Sequence, residues 1–459
     1  MAFLERERRS PRRGKSKRSS VARGLVALTC VSLGLAGCSS TAPTTSANAN
    51  ATGTLNVWVR GASASLTAYT KLFAAFTAQT GIKVQLFGTL TDFETKVTAA
   101  ATSHTLPDIV VDNASQLGSF QSEGILQQVD PTQLTDDTQI QSTTWNMAKD
   151  NAGQTFAVPF SVQANLLFIR KDWLDKLHLA VPTTWAQVDQ VAQAFTKDDP
   201  DGDGKADTYG LDIPGTTSSG YISWWWSSML WQSGGDYVKN DGNDKYTATL
   251  DSSQAVSAAS EFEQEVCTDK VAQPGMINDS TTDTNKAFET GVAGMYLTGP
   301  YAFATFDALP AIKGKYIVVA PPTDGSASPA TLAEGTDAYL MQGAKTTEAY
   351  KLLSFMDSTQ GQTLGMTAVP SATVVRLPVN TAVNAATVHA NDPRWTLAEQ
   401  VYTNDGHFEY DSLPNWTALR QLTSNDLNAM IANCSSPASA MSSLNTQFQA
   451  MLAQQGVAG

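Results

Sequence analysis

The chain is 459 residues long, with 30 basic and 43 acidic side chains and a formal net charge of −13. An acidic balance of this size argues against nucleic acid as a partner and against attachment to a membrane through a polybasic surface. The length is too great for one ordinary hydrophobic core, so two lobes are expected.

Residues 1–37 read as an address and not as part of the fold. Nine Lys and Arg lie between Arg6 and Arg23, and an apolar run follows from Gly24 to Ala36. A basic start before an apolar run too short to span a bilayer describes an export signal peptide. The run ends in Leu35-Ala36-Gly37-Cys38, which resembles a bacterial lipobox. That resemblance implies a lipidated (palmitate-bearing) Cys38 and a protein held at the extracellular face of the cytoplasmic membrane. Residues 38–53, filled with Ser, Thr, Ala and Asn, read as a flexible tether. Without the leader's nine basic and two acidic residues the chain keeps 21 basic against 41 acidic side chains, a net charge near −20. Such a body suits a neutral or cationic ligand. Cys267 and Cys434 are the cysteines beyond Cys38; both end predicted helices, and an oxidising exterior permits a disulfide whose geometry spacing alone does not fix.

The folded part opens with the apolar strand LNVWV, Leu55–Val59. A helix follows from about Ser65, with Leu66, Tyr69, Phe73 and Phe76 on one face and Gly81 as its stop. Ile82–Phe87 alternates as a strand does, Asp92–Ser103 reads as a helix, and Pro107–Val111 is a third strand ending in Asp112-Asn113. Strict strand–helix alternation predicts an α/β fold with a parallel sheet, whose ligands sit beyond the carboxyl ends of the strands. Arg60 and Asp112 fall at that rim, where a charge after a buried strand is costly unless something uses it. Phe156–Asp172 combines an apolar strand with Ser161, Gln163 and Asn165 at alternate positions. Alternation sends those three side chains to one face, which we expect to line a cleft where the chain crosses between lobes. Thr184 and Gln187 are spaced as a capping box, and Tyr221–Trp231 forms a helix that is aromatic on more than one face. Later elements are a helix at Ser253–Cys267, strands at Val292–Leu297, Ile317–Ala320 and Ala338–Met341, and helices at Thr346–Thr359, Trp395–Thr403, Trp416–Ala432 and Pro437–Gln454.

Four segments together resemble the extracellular solute-binding proteins that serve ABC sugar importers, the maltose-binding-protein type. They are the opening strands with TGIKV and LPDIVV, then VPFSVQANLLFIRKDWLDKLHLAVPTTWAQV, AFETGVAGMYLTGPYAFATF and TEAYKLLSFMDS. Their order and spacing across most of the chain carry the resemblance, since each piece alone is a common arrangement. It implies a two-lobed periplasmic-binding-protein fold of type II-like form, with a hinge, an interlobe cleft for a di- or oligosaccharide, and closure on binding. It also implies crossings near Pro159–Val162, Gly299–Ala302 and Gln342–Thr346. The N-terminal lobe would then be 54–158 plus 303–342 and the C-terminal lobe 159–302 plus 343–459. The implied partners are a carbohydrate and ABC permease subunits, for a monomer with no catalytic residues and no required cofactor.

A sugar site needs flat rings for C–H faces and carboxylates, amides and Arg for hydroxyls. Tyr221 and Trp224, one turn apart, are expected to face the cleft while at least one of Trp225 and Trp226 packs inside. Tyr301 and Trp416 match cleft aromatics of the family, and Trp185 and Trp395 read as core. The polar candidates are Arg60, Asp112, Gln163, Asn165 and Glu334, with Gly335 letting a ligand approach the backbone and Arg376 in a loop able to reach the cleft. Where maltose binders carry a hinge-strand carboxylate this chain has Gln163, which leaves the sugar unnamed. Separately, Asp199, Asp201, Asp203, Lys205 and Asp207 take the first, third, fifth, seventh and ninth places of a calcium loop, with Gly204 sixth. Gly210 stands where the loop's bidentate Glu belongs, so a structural Ca2+ would have an incomplete ligand set. The competing readings are a secreted glycoside hydrolase and a polysaccharide-binding surface adhesin. Against an enzyme, the four His form no metal spacing and the chain has no GxSxG, P-loop or GxGxxG.

Overall fold

The structure, a computed structural model, describes residues 53–323 and 329–459. The leader, Cys38 and nearly all of the tether lie outside the described residues. The strands in chain order are β1 (Leu55–Arg60), β2 (Val84–Thr89), β3 (Ile109–Asn113), β4 (Ala157–Ala164), β5 (Leu166–Arg170), β6 (Tyr209–Asp212) and β7 (Val238–Gly242). They continue with β8 (Lys245–Ala248), β9 (Ala293–Thr298), β10 (Tyr316–Val319), β11 (Thr331–Leu340), β12 (Leu377–Pro378) and β13 (Gly406–Phe408). Two sheets organise them. The larger runs β12-β4-β11-β3-β1-β2 with β13 beside β11; the smaller runs β10-β5-β9-β6, and β7-β8 is a separate hairpin. The fold is α/β and two-lobed, one lobe around each sheet.

The expected parallel pairing holds for β2, β1 and β3. β11 and β4 enter the same sheet antiparallel, so the larger sheet is mixed. Leu55, Val57 and Val59 alternate inward from β1 onto the helix Ser63–Thr80, which buries Tyr69, Leu72, Phe73 and Phe76. That helix stops at Gly81, whose φ of 76° suits glycine and whose N–H donates to Thr77 O. β5 is apolar from Leu166 to Ile169, ahead of its terminal Arg170, because both of its faces are covered. Leu167 and Ile169 face the core of Trp173, Val188 and Phe195, whereas Leu166 and Phe168 face Phe288, Phe303 and Phe306.

The chain passes from the larger to the smaller sheet at Asn165, between β4 and β5, a few residues beyond Pro159–Val162. After β9, Gly299-Pro300 leads into the helix Tyr301–Asp307, and β10 then pairs with β5, so this turn does not return the chain to the larger sheet. Gln342–Thr346 is not a passage either. Met341 N donates to Asp108 O, Gln342 N to Ile125 O, and Lys345 Nζ pairs with Asp108 at 2.9 Å. The helix Thr346–Asp357 that follows buries Leu352, Leu353 and Met356 in the larger sheet's core. The polar Gln-Gly-Ala-Lys stretch looks like a linker in sequence because its anchors are backbone bonds and one buried aspartate. The return to the smaller lobe comes after β13, where Leu413 and the helix Trp416–Ala432 join the core of Trp226 and Tyr237. Cys267 and Cys434 form a disulfide with a Cα–Cα distance of 5.7 Å. It ties the end of the helix Ser253–Glu263 to the residues following Trp416–Ala432.

Candidate functional site

A cavity of about 760 Å³ lies between the two sheets. Arg60 at the end of β1 and Asp112 and Asn113 at the end of β3 border it, as the strand-end rule requires. Of the ten predicted ligand residues, all but Trp416 line it. Trp416 is fully buried against Tyr237, Tyr410 and Phe448. The first turn of its helix points into the smaller lobe's core, so this ring is a packing residue.

The polar wall comes from β4 and β11, which lie side by side with Gln163 opposite Glu334. Gln163 Nε2 donates to Glu334 Oε2 at 2.9 Å, while Gln163 Oε1 is buried without a partner. Burial pushes the Glu334 carboxyl up to about 7, against the lowering effect of Gln163 and Arg376. Gln163 also explains Gly299: a Cβ there would stand 2.5 Å from Gln163 Oε1. Gly335 lines the cavity, but the space a side chain would take belongs to Met147 and Ala114, at 2.9 and 3.0 Å from an added Cβ. Packing, not ligand approach, demands that glycine. Asn165 also faces the cavity, anchored through its N–H to Leu332 O at 2.9 Å. Ser161 accepts from Arg376 N at 2.9 Å and serves to hold the neighbouring loop.

Arg60 Nε donates to Glu94 at 2.8 Å and lies 3.9 Å from Asp112, and its Nη2 reaches Tyr221 Oη at 3.4 Å. Burial, then the Glu94 carboxylate, holds Asp112 well above the usual carboxylate range, opposed by Arg60. A second, polar cavity of about 630 Å³ shares Arg60, Asn113, Tyr221 and Thr282 with the first.

The aromatic wall belongs to the other lobe. Tyr221 and Trp224 stack with centroids 5.7 Å apart on the helix Tyr221–Gln232 and border the cavity. Trp226 turns inward against Tyr237, and Trp225 packs against Trp185 and Phe262 in the core while also bordering the cavity. Tyr301 opens a helix and shares a hydrogen bond of 2.7 Å with Thr298 Oγ1. Trp185 and Trp395 are core residues.

Of the residues in and beside the cavity, Tyr69, Thr373 and Arg420 went unread in the sequence, whereas Arg376 was expected in a loop able to reach it. Tyr69 borders the cavity, though its helical spacing marked only a core position. Thr373 and Arg376 reach it from the loop before β12, and no local pattern singles out Thr373. Arg420 is buried beside Trp224, 5.4 Å above the ring, and pairs with Glu409 at 2.8 Å. Its signal was a lone cation inside an otherwise amphipathic helix.

The acidic loop lies apart from this cavity. Asp199, Asp201 and Asp203 bring carboxylate oxygens within 4.8 Å of one another, and Asp207 is not in that group. Asp199 accepts from Gly202 N at 2.9 Å and Gly204 N at 3.1 Å, and Lys205 Nζ sits on Asp203. Gly210 is in β6, where an added Cβ would come 2.2 Å from Ala192 Cα. The twelfth place of a calcium loop is thus committed to packing and has no room for a glutamate. The three carboxylates suit a hard cation, though with fewer protein ligands than an EF-hand provides.

The overall architecture is shared with solved structures. An ABC transporter solute-binding protein of Thermotoga lettingae bound with alpha-D-tagatose superposes with a TM-score of 0.76 at 19% identity, covering 86% of this chain and 98% of that one. The GacH receptor of Streptomyces glaucescens, solved unliganded and with acarbose, gives 0.75 at 20% identity over 87% and 98%. Maltose-bound MalE3 of T. maritima gives 0.75 at 19% over 87% and 100%. At these identities the likeness shows the fold. Shorter matches join the chain to two Bacillus subtilis proteins. They are the polygalacturonan/rhamnogalacturonan-binding protein YtcQ, 60% identical over 45 residues, and the lipoprotein LipO, 40% identical over 65. These matches cover 10% and 14% of this chain and 9% and 13% of those relatives. Residues 62–363, well over half of the chain, match the bacterial extracellular solute-binding protein family, and the chain belongs to that family.

Proposed function

We propose that the protein captures a carbohydrate, a di- or oligosaccharide, in the interlobe cavity and delivers it to the permease subunits of an ABC importer. The observation that carries this reading is the pairing of two unlike walls. Stacked Tyr221 and Trp224 offer a flat apolar face, and Gln163, Asn165 and Glu334 offer amide and carboxyl groups across from it. On the lipobox reading the body would sit on a tether at Cys38, outside the cytoplasmic membrane, and the chain would act as a monomer. Hinged closure about the β4–β5 passage would enclose the sugar. ATP hydrolysis would belong to another subunit, and this chain would need no cofactor. A calcium ion held by Asp199, Asp201 and Asp203, with the Lys205 main-chain carbonyl beside them, would serve only to stiffen the acidic loop.

A panel of sugars screened by thermal shift and then titrated calorimetrically tests the reading. Trp224→Ala or Tyr301→Ala should weaken the best sugar at least tenfold, about 1.4 kcal/mol, with the protein still folded. Unchanged affinity in both variants would overturn the site assignment. Cleavage of oligosaccharides would instead support a hydrolase, and failure of any soluble sugar to close the cleft in small-angle scattering would support an adhesin.

A further inference from the structure

Five arginines fall within the described residues, and four of them have a carboxylate within 4.0 Å: Arg60 with Glu94, Arg170 with Asp172, Arg394 with Asp307 and Asp392, and Arg420 with Glu409. Arg376 has none among the described residues, and it is the one of the five whose guanidinium borders the interlobe cavity without an acidic partner. Its position is set from behind. The main-chain N–H donates to Ser161 Oγ at 2.9 Å and Nη1 donates to Thr336 Oγ1 at 2.9 Å, which leaves Nε buried and without a partner. Thr373, three residues earlier in the same loop, also borders the cavity; it is 5% exposed and its Oγ1 has no partner. Two buried polar atoms at one corner of the cavity, Arg376 Nε and Thr373 Oγ1, thus have no partner within the protein, a cost that a ligand group placed there would offset.

We propose that the ligand carries a carboxylate, in the class of uronate sugars, and that Arg376 receives it through charge-assisted hydrogen bonds with Thr373 Oγ1 alongside. The proposal rests on the carbohydrate reading above and names the substrate class within it. The planar guanidinium fork matches a carboxylate. One unpaired cation balances one negative charge, which favours a carboxylate over a phosphate dianion. Glu334 on the same wall feels the Arg376 charge, but no ion pair within 4.0 Å joins them, burial favours its neutral form, and its carboxyl accepts from Gln163 Nε2. Asp112 and Glu94 are spoken for by Arg60, and on the facing lobe Glu289 lies 3.7 Å from Lys286 while Asp283 caps its own helix. The acidity of the chain as a whole sets the far field, whereas the docking corner is set by the group a few ångströms away.

The test is calorimetric titration of the full mature chain with matched pairs: uronate disaccharides, the neutral dihexosides of the same linkage, and the corresponding hexose phosphates. The expected result is a uronate bound at least tenfold tighter than its neutral counterpart and tighter than the phosphate. Arg376→Gln should cut that uronate-over-neutral ratio at least tenfold, and Thr373→Val should cut it by a smaller factor. Each variant is first checked for an apo melting temperature close to the parent's. Neutral sugars binding as tightly as uronates would overturn the proposal and leave the carbohydrate reading standing, as would a ratio unchanged in both folded variants. Tighter binding of a phosphate would do the same. Failure of every sugar to bind would overturn the carbohydrate reading and the proposal with it.

Discussion

Asp337 gives the sharpest test of how the larger sheet is held. It lies on β11 opposite Pro159, at a break in the β4–β11 register, and is fully buried with neither carboxyl oxygen hydrogen-bonded. Burial alone pushes its carboxyl up to about 7 from 3.8. In the unfolded chain the same group titrates near 4, so between about pH 4 and 7 the native state holds a proton that the unfolded state has lost. The unfolded state therefore binds fewer protons in this window, and stability falls as pH rises through it, levelling above the folded pKa. A shift of roughly three units corresponds to about 4 kcal/mol as an upper figure. Asp357 and Asp411, both sensitive to the Asp337 charge, are also held well above the usual range by burial, so their contributions have the same sign. Tyr339 completes the set of titrating neighbours and stays protonated, its hydroxyl donating to Asn113 O. Asp337→Asn keeps the shape and removes the titration. Urea unfolding at pH 5 and pH 8 should show the parent losing about 2–4 kcal/mol more than the variant between the two conditions. Any fixed cost of the amide cancels in that comparison. Equal losses in parent and variant would refute the argument that Asp337 is buried protonated.

Three further outcomes follow from the geometry. Replacing Cys267 and Cys434 together by Ser removes a closure of 167 residues, worth about 5 kcal/mol in the chain-entropy account and usually 2–4 kcal/mol when measured; an unchanged urea midpoint would refute a structural role. Gly299→Ala should push Gln163 off Glu334 and weaken sugar binding about tenfold with little change in melting temperature, because the obstructing atom is the far end of a flexible side chain. Adding Gln163→Ala should relieve the clash, and a single variant with parental affinity would count against the contact. Millimolar Ca2+ against EGTA should raise the melting temperature, and Asp199→Asn should abolish the rise; no calcium dependence would return the acidic loop to a solvated turn.

Much of the site was legible because strands write their faces in alternation. Ser161, Gln163 and Asn165 share one side in sequence and all three border the cavity. Arg60 and Asp112 were legible by another rule, since a charge after an apolar strand marks the strand's carboxyl end. The aromatic helix was legible in excess: four rings in six residues cannot all be core, and Tyr221 and Trp224 are the two that pair at the rim. Trp416 failed because a Trp at a helix start has no periodicity of its own, and the core it joins is assembled from Tyr237, Tyr410 and Phe448, distant in sequence. The passage assigned to Gln342–Thr346 failed for the same kind of reason, as the bonds that fix it run to Asp108 and Ile125. Gly335 shows the limit for glycine. Sequence reveals that a side chain is excluded there, but not whether ligand or protein excludes it.

The division of the cavity into a charged wall on one lobe and an aromatic wall on the other bears on how closure would be controlled. Arg60 and Tyr221 touch across the cleft at 3.4 Å, a long bond to a neutral phenol, worth no more than about 1 kcal/mol. Arg60 keeps Glu94, on its own lobe, at 2.8 Å, so parting the walls strands no charge. Parting this one contact would therefore cost little, whereas Ser119 with Thr417 at 2.7 Å and Arg420 with Ser115 at 3.2 Å join the lobes elsewhere. An equilibrium poised within a few kcal/mol is one that a ligand touching both walls can decide, since only contacts made in the closed form bias it. A sugar stacked on Trp224 and hydrogen-bonded to Gln163 and Asn165 meets that condition, whereas a ligand satisfied by one wall alone would bind without closing the cleft. Discrimination between ligands would then reside in the pairing of the walls more than in either set of residues taken singly.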